Sequence, residues 1–185
     1  MEKELLSNLK TDMDKSIESY VKELGKVRTG RASLSLLDSV RVDYYGTPTA
    51  LNQLANVSIP EARLITIQPW DNQVIKEIEK AILKADLGLT PNSDGKIIRV
   101  SIPPLTEDRR KELVKMVKKI SEAAKVSVRN HRRKINDDLK AAKNDKLISE
   151  DDMFKSQDEV QKITDEYVKK CDEIGDKKEK EIMEF

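Results

Sequence analysis

Apolar residues recur at steps of three and four from the start of the chain: Leu5, Leu9, Met13, Ile17, Val21, Leu24 and Val27. At about 100° per residue they fall on one stripe, so the spacing predicts an amphipathic helix from residue 1 to about residue 29. The pattern stops at Thr29-Gly30, where glycine is a favoured terminator. Beyond it the period changes. Val40, Val42 and Tyr44 alternate with polar neighbours, which predicts a strand, and Gly46-Thr47-Pro48 predicts the turn that follows. Residues 54–59 and 64–67 read as two more strands. Asp71 can cap a helix over residues 73–85, with Val74, Ile75, Ile78 and Ile82 inward. Residues 87–95 read as a loop and residues 97–102 as a last strand. Strands, one helix, then more strand predict a compact α+β unit.

Pro103-Pro104 ends that region, since neither residue continues a strand interior or sits easily inside a helix. The helical period then returns from residue 106 to about 144, with Leu113, Val117, Ile120, Ala124, Val128, His131, Ile135 and Leu139 on one stripe. After Lys146-Leu147-Ile148, Ser149 followed by Glu150, Asp151 and Asp152 is a helix start with a capping serine and an acidic first turn. Val160, Ile163, Tyr167, Cys171, Ile174 and Ile182 form its stripe. These last two helices run about 35 residues, or roughly 50 Å, each. A short turn makes them antiparallel, and the first helix has no other partner for its stripe. The prediction is an α+β protein: a long antiparallel three-helix bundle from residues 1–30 and 104–185, with a β/α/β domain of residues 31–103 inserted. Thr29, Gly30 and Arg31 on one connection, and Pro103 and Pro104 on the other, then form a two-stranded hinge. Rigid packing of the insert on the bundle is the alternative.

Composition fits long helices that bury one stripe and solvate the rest: hydrophobic and charged residues are each 37%. Aromatics at 4% argue against a platform that stacks exposed bases. A lone Cys171 excludes an internal disulfide and reads as a small buried apolar group in a reducing compartment. No apolar run approaches the ~20 residues needed to span a bilayer, and the acidic start does not read as a signal or transit peptide, so a cytoplasmic protein is expected. Catalytic signatures are lacking: there is no phosphate-cradling glycine loop, no nucleophile elbow, no zinc-binding pair of histidines. The single histidine, His131, falls on the apolar stripe and reads as packed at the bundle core or its edge.

Charge changes the picture more than composition does. The 35 basic and 34 acidic residues nearly cancel, but not locally. Residues 109–133 hold ten bases (Arg109, Arg110, Lys111, Lys115, Lys118, Lys119, Lys125, Arg129, Arg132, Arg133) against Glu122 and Glu112, a net of +8; residues 150–185 hold thirteen acids and seven bases, a net of −6. On the helix, Lys118, Lys125, Arg129, Arg132 and Arg133 fall to one side of the apolar stripe, interrupted by Glu122. Three arginines within five residues suit phosphates, whose oxygens the guanidinium fork matches in pairs. A rigid cationic helix with few aromatics points to structured RNA held by its backbone and shape. The competing reading is a solvated face paired with acids of the last helix.

Several stretches are long, non-repetitive and familiar in kind. Residues 27–33 (VRTGRAS), 43–49 (DYYGTPT), 86–95 (DLGLTPNSDG), 103–111 (PPLTEDRRK), 128–133 (VRNHRR), 148–152 (ISEDD) and the Met183-Glu184-Phe185 end resemble the ribosome recycling factor family, in order and over the whole chain. The resemblance implies the same bundle and insert in an L shape. It also implies that the protein binds the post-termination ribosome and, with elongation factor G and GTP, splits it into subunits, freeing messenger and transfer RNA, without hydrolysing anything itself. Implied partners are the large ribosomal subunit and elongation factor G; a monomer is expected, with no cofactor, metal, membrane or DNA. By resemblance, Arg110, Arg129 and Arg132 are RNA-contacting, Arg133 is a further basic position, and Arg28 and Arg31 lie beside the hinge. For Arg28 a structural role near the bundle end stands beside RNA contact. His131 departs from the Val or Ile usual there, and Lys134 from a common acid. A helical scaffold binding another protein through its acidic last helix is the alternative from a different class; an enzyme has no constellation of reactive side chains behind it.

Overall fold

The computed structural model describes residues 2–184; Met1 and Phe185, the predicted outer limits of the bundle, lie outside the described residues. The helices are α1 (Glu2–Gly25), α2 (Ile75–Lys84), α3 (Glu107–Asn144) and α4 (Glu150–Glu184). The strands are β1 (Arg41–Tyr44), β2 (Thr47–Ala50), β3 (Ala55–Glu61), β4 (Leu64–Pro69), β5 (Thr90–Ser93) and β6 (Ile98–Ser101). The chain divides into two compact units, residues 2–28 with 107–184, and residues 29–106.

The first unit is α1, α3 and α4, each burying one stripe. On α1 this is Leu9, Met13, Tyr20 and Leu24; on α3 Leu113, Val117, Ser121, Ala124, Val128, Ile135 and Leu139; on α4 Met153, Val160, Ile163, Tyr167, Cys171 and Ile182. Two expectations fail on α1. The helix ends at Gly25, not near Thr29, because glycine is the weakest position in the run; two tight turns follow, Lys26 N–H to Glu23 O and Val27 N–H to Leu24 O. Val21 is 50% exposed, and its neighbour Tyr20 is buried instead. Tyr20 donates to the Cys171 carbonyl at 3.0 Å and meets Ser121 Oγ at 2.6 Å, so its hydroxyl enters the core satisfied. Gly175 of α4 makes room for this node: a Cβ there would lie 2.7 Å from Ser121 Oγ. The α3–α4 turn closes with Lys146 at φ +58 and Leu147 N–H on the Ala142 carbonyl at 2.9 Å, a left-handed cap made without glycine. Ser149 caps α4 as its sequence indicates, exchanging hydrogen bonds with Asp152, whose carboxyl this holds below the usual range.

The second unit has a β1–β2 hairpin and a four-stranded antiparallel sheet in the order β3-β4-β6-β5. Ile65 and Ile67 of β4 and Ile98 and Val100 of β6 face α2, which buries Ile75, Ile78, Ala81 and Ile82. Asp71 accepts from Gln73 N–H at 2.9 Å, and a single 3-10 turn precedes α2. The predicted Gly46-Thr47-Pro48 turn moves back to Tyr45-Gly46, both at positive φ, and Thr47 and Pro48 pair with β1. The predicted loop over 87–95 is also corrected: Thr90–Ser93 is strand β5, at the sheet edge, where a proline costs no ladder bond on its open side. Both chain crossings are tied to the β3–β4 turn: Ala32 N–H donates to the Ala62 carbonyl at 2.7 Å and Ile102 N–H to the Arg63 carbonyl at 2.8 Å. Gly30, buried at φ +76, is closed over by Leu105, whose Cγ would be 2.9 Å from an added Cβ.

Candidate nucleic-acid interface

The site is built on α3. Lys118, Glu122, Lys125, Arg129 and Arg132 succeed one another at steps of four, three, four and three, one line along the helix about 21 Å long. The buried stripe Val117–Ser121–Ala124–Val128 lies on the adjacent bearing, so packing against α1 and α4 fixes the direction of the line. Arg133 is exposed one position beyond it.

Neighbouring groups tie part of this line down. Glu122 Oε1 accepts from Arg129 at 3.0 Å, and its other oxygen lies 3.3 Å from Lys125 Nζ. Lys125, with only 20% of its side chain exposed, also meets Asp172 of α4 at 3.0 Å. Arg129, then Lys125, hold the Glu122 carboxyl below its ordinary range; Asp172 above all raises the Lys125 ammonium. Arg132 donates to the neutral amide oxygen of Gln161 at 3.2 Å, and that amide donates on to Asp165 at 2.8 Å. Among the described residues, Lys118, Arg132 and Arg133 have no carboxylate partner. Pairing with the acidic helix is therefore partial, and a net cationic flank remains.

The other expected residues sit elsewhere. Arg110 donates to the Met183 carbonyl at 2.7 Å. The last turn of α4 has no basic residue of its own, so this guanidinium supplies the positive charge that its exposed carbonyls favour. Arg28 is exposed at the edge of the bundle unit, and Arg31 is exposed in the other unit. Of the expected hinge residues, Thr29, Gly30, Arg31, Pro103 and Pro104 all belong to residues 29–106. Sequence reasoning missed Asp172 and Gln161, because only the register of α4 on α3 brings them to the line.

His131 is half-buried, with Nε2 3.0 Å from Ser16 Oγ, which also meets Ser127 at 3.1 Å. A serine on a histidine is the opening pair of a nucleophilic site, but no described carboxylate orients this ring. The three groups make a polar seam between α1 and α3. No cluster able to hold a metal is found among the described residues, and no described helix is long and apolar enough to cross a membrane.

Fold and face together define a binding protein built on a helical bundle with an inserted sheet unit. The sequence model of the family described as ribosome recycling factor matches residues 20–183. A ribosome-recycling factor of Desulfatibacillum aliphaticivorans is 67% identical over 173 residues, 94% of each chain. One from Geobacillus sp. strain WCH70 is 55% identical over the full length of both chains. Among solved structures, a solution structure of the ribosome recycling factor superposes with a TM-score of 0.72 at 40% identity, covering 100% of this chain and 98% of that one. Models of the T. thermophilus ribosome recycling factor and the E. coli elongation factor G on the E. coli post-termination complex superpose with a TM-score of 0.63 at 43% identity, covering 98% of each chain. The chain belongs to the ribosome recycling factor family, whose members are translation factors and not enzymes.

Proposed function

We propose that this protein binds the post-termination ribosome in the cytoplasm and, with elongation factor G and GTP, separates its subunits and frees messenger and transfer RNA. The observation that supports the ribosomal contact is the cationic line of α3, with Lys118, Arg132 and Arg133 unmatched by carboxylates among the described residues. The bundle unit supplies the RNA contact through Arg129, Arg132, Arg133, Lys118 and Lys125, with Arg110 and Arg28 toward its edges, and Arg31 of the other unit adds to it from the hinge. Backbone phosphates are its target, since a guanidinium or ammonium row on a rigid helix carries charge without base-stacking surface. The unit of residues 29–106 meets elongation factor G. Thr29, Gly30, Arg31, Pro103 and Pro104 act as the hinge. The energy for splitting comes from the partner's GTP hydrolysis.

Sedimentation of post-termination ribosomes with this protein, elongation factor G and GTP tests the function directly: subunits separate only when all three are present. Arg132→Ala, with unchanged helicity, weakens binding to the large subunit about tenfold and reduces the salt slope of the affinity by about one. Native affinity in that variant removes the line from the interface.

A further inference from the structure

Glu122 is the only acid between Lys118 and Arg133, and it stands inside the cationic line, not beside it. Its two oxygens are divided between two cations of that line, Arg129 at 3.0 Å and Lys125 at 3.3 Å. One carboxylate thereby does for this pair what two oxygens of one phosphate would do. The side chain is 57% exposed, in a surface pocket it shares with Asp172, Asp176 and Glu179 of α4, so it swings away without disturbing the core. The two cations differ in what they keep when it leaves. Lys125 retains Asp172 at 3.0 Å, whereas Arg129 has no other partner among the described residues. The anion site that opens is therefore centred on Arg129, one turn from Arg132.

We infer that Glu122 is a built-in phosphate surrogate: it occupies the Lys125–Arg129 anion site in the free protein and is displaced when RNA binds. The inference rests on the reading of this face as the RNA interface. The physical consequence is competition within the molecule. Every phosphate that engages Arg129 must first displace a carboxylate already bonded to it, and that carboxylate then stays nearby as a like charge. The face holds RNA less tightly than its arginines alone would. A factor that must leave the ribosome in every round gains a faster release, and loose phosphates elsewhere find Arg129 already occupied.

The test uses the full chain, isolated large ribosomal subunits and a series of salt concentrations. Glu122→Gln keeps the shape and removes the charge. It binds about fivefold tighter at low salt, and the logarithm of its affinity falls more steeply with the logarithm of salt, by about 0.7–0.9. Glu173→Gln is the control. It adds the same net charge on α4, where Glu173 meets Lys169 of its own helix at 3.9 Å, and stays within about twofold of the native affinity. Arg132→Ala separates the two levels of the reading. If Arg132→Ala weakens binding while Glu122→Gln matches the control, the surrogate is wrong and the interface stands. If Arg132→Ala binds like the native protein, the interface and the surrogate fall together.

Discussion

Gly175 lies inside α4, where alanine ordinarily stabilises a helix by about 1 kcal/mol. Here the sign reverses. An added Cβ would stand 2.7 Å from Ser121 Oγ and 3.0 Å from the Tyr20 hydroxyl, and both oxygens belong to one buried node. Tyr20 gives its only proton to the Cys171 carbonyl at 3.0 Å, so the 2.6 Å contact is Ser121 donating to Tyr20. Room for a methyl comes only from breaking that bond or parting α4 from its neighbours. A buried hydroxyl left unpaired costs about 1–3 kcal/mol, and overpacking a filled core about 1–3 kcal/mol. Against a helix gain of about 1 kcal/mol, either cost leaves Gly175→Ala destabilised by about 1 kcal/mol net. Gly25→Ala is the matched control: nothing lies within 4 Å of its added Cβ, and it gains about 0.5–1 kcal/mol. Urea unfolding followed by far-UV circular dichroism should lower the midpoint for the first variant and raise it for the second. Adding Ser121→Ala to Gly175→Ala removes the closest contact and restores part of the loss. A Gly175→Ala protein as stable as Gly25→Ala would refute the reasoning, because the node would then yield without cost.

Gly30→Ala places a side chain at φ +76 and a Cβ 2.9 Å from Leu105 Cγ, so the unit of residues 29–106 loses about 1–2 kcal/mol, read as faster hydrogen exchange of the β4 amides. In the same variant recycling slows more than ribosome binding; normal recycling would take Gly30 out of the hinge. The Asp94 carboxyl accepts from Ile97 N–H, from Arg99 and from Lys96 N–H, which pulls it from an ordinary 3.8 to about 2. A depressed carboxyl stabilises the fold above its unfolded value, so this contribution is present above about pH 4 and is lost as pH falls toward 2. The Asp94 side-chain carbon shift should titrate with a midpoint near 2, and a midpoint near 3.8 would contradict the turn geometry.

The helical stripes were legible because a period of three and four leaves few alternatives over twenty residues or more. Val21 and Tyr20 show where that rule ends. Both sit near the stripe, and the rule favours valine; what decides for tyrosine is a carbonyl and a hydroxyl on two helices far along the chain. Strand β5 was hidden for a different reason. Thr-Pro-Asn-Ser carries turn chemistry, and only the ladder offered by β6 makes it a strand. On the candidate interface, the cations could be counted and placed on a helix face from spacing alone. Their partners could not. Asp172, Gln161 and the Met183 carbonyl belong to α4, and a slide of one turn along α3 would exchange each of them for another group.

The bundle is discontinuous in sequence, and synthesis must respect that. Tyr20 bonds to a residue 101 positions later and to one 151 positions later, and Tyr167 reaches back 153 positions to Asp14. Residues 29–106 form contiguous contacts and can close as soon as they are made. At roughly 5–20 residues per second, several seconds pass between α1 and its first partner helix. During that interval the Leu9, Met13 and Leu24 stripe has no native surface to cover it. Chain order lets the sheet unit fold first and leaves the node around Tyr20 to close only when α4 has been made. A nascent chain halted before α4 thus holds one finished unit and two helices with open apolar faces, the state in which it most needs a chaperone.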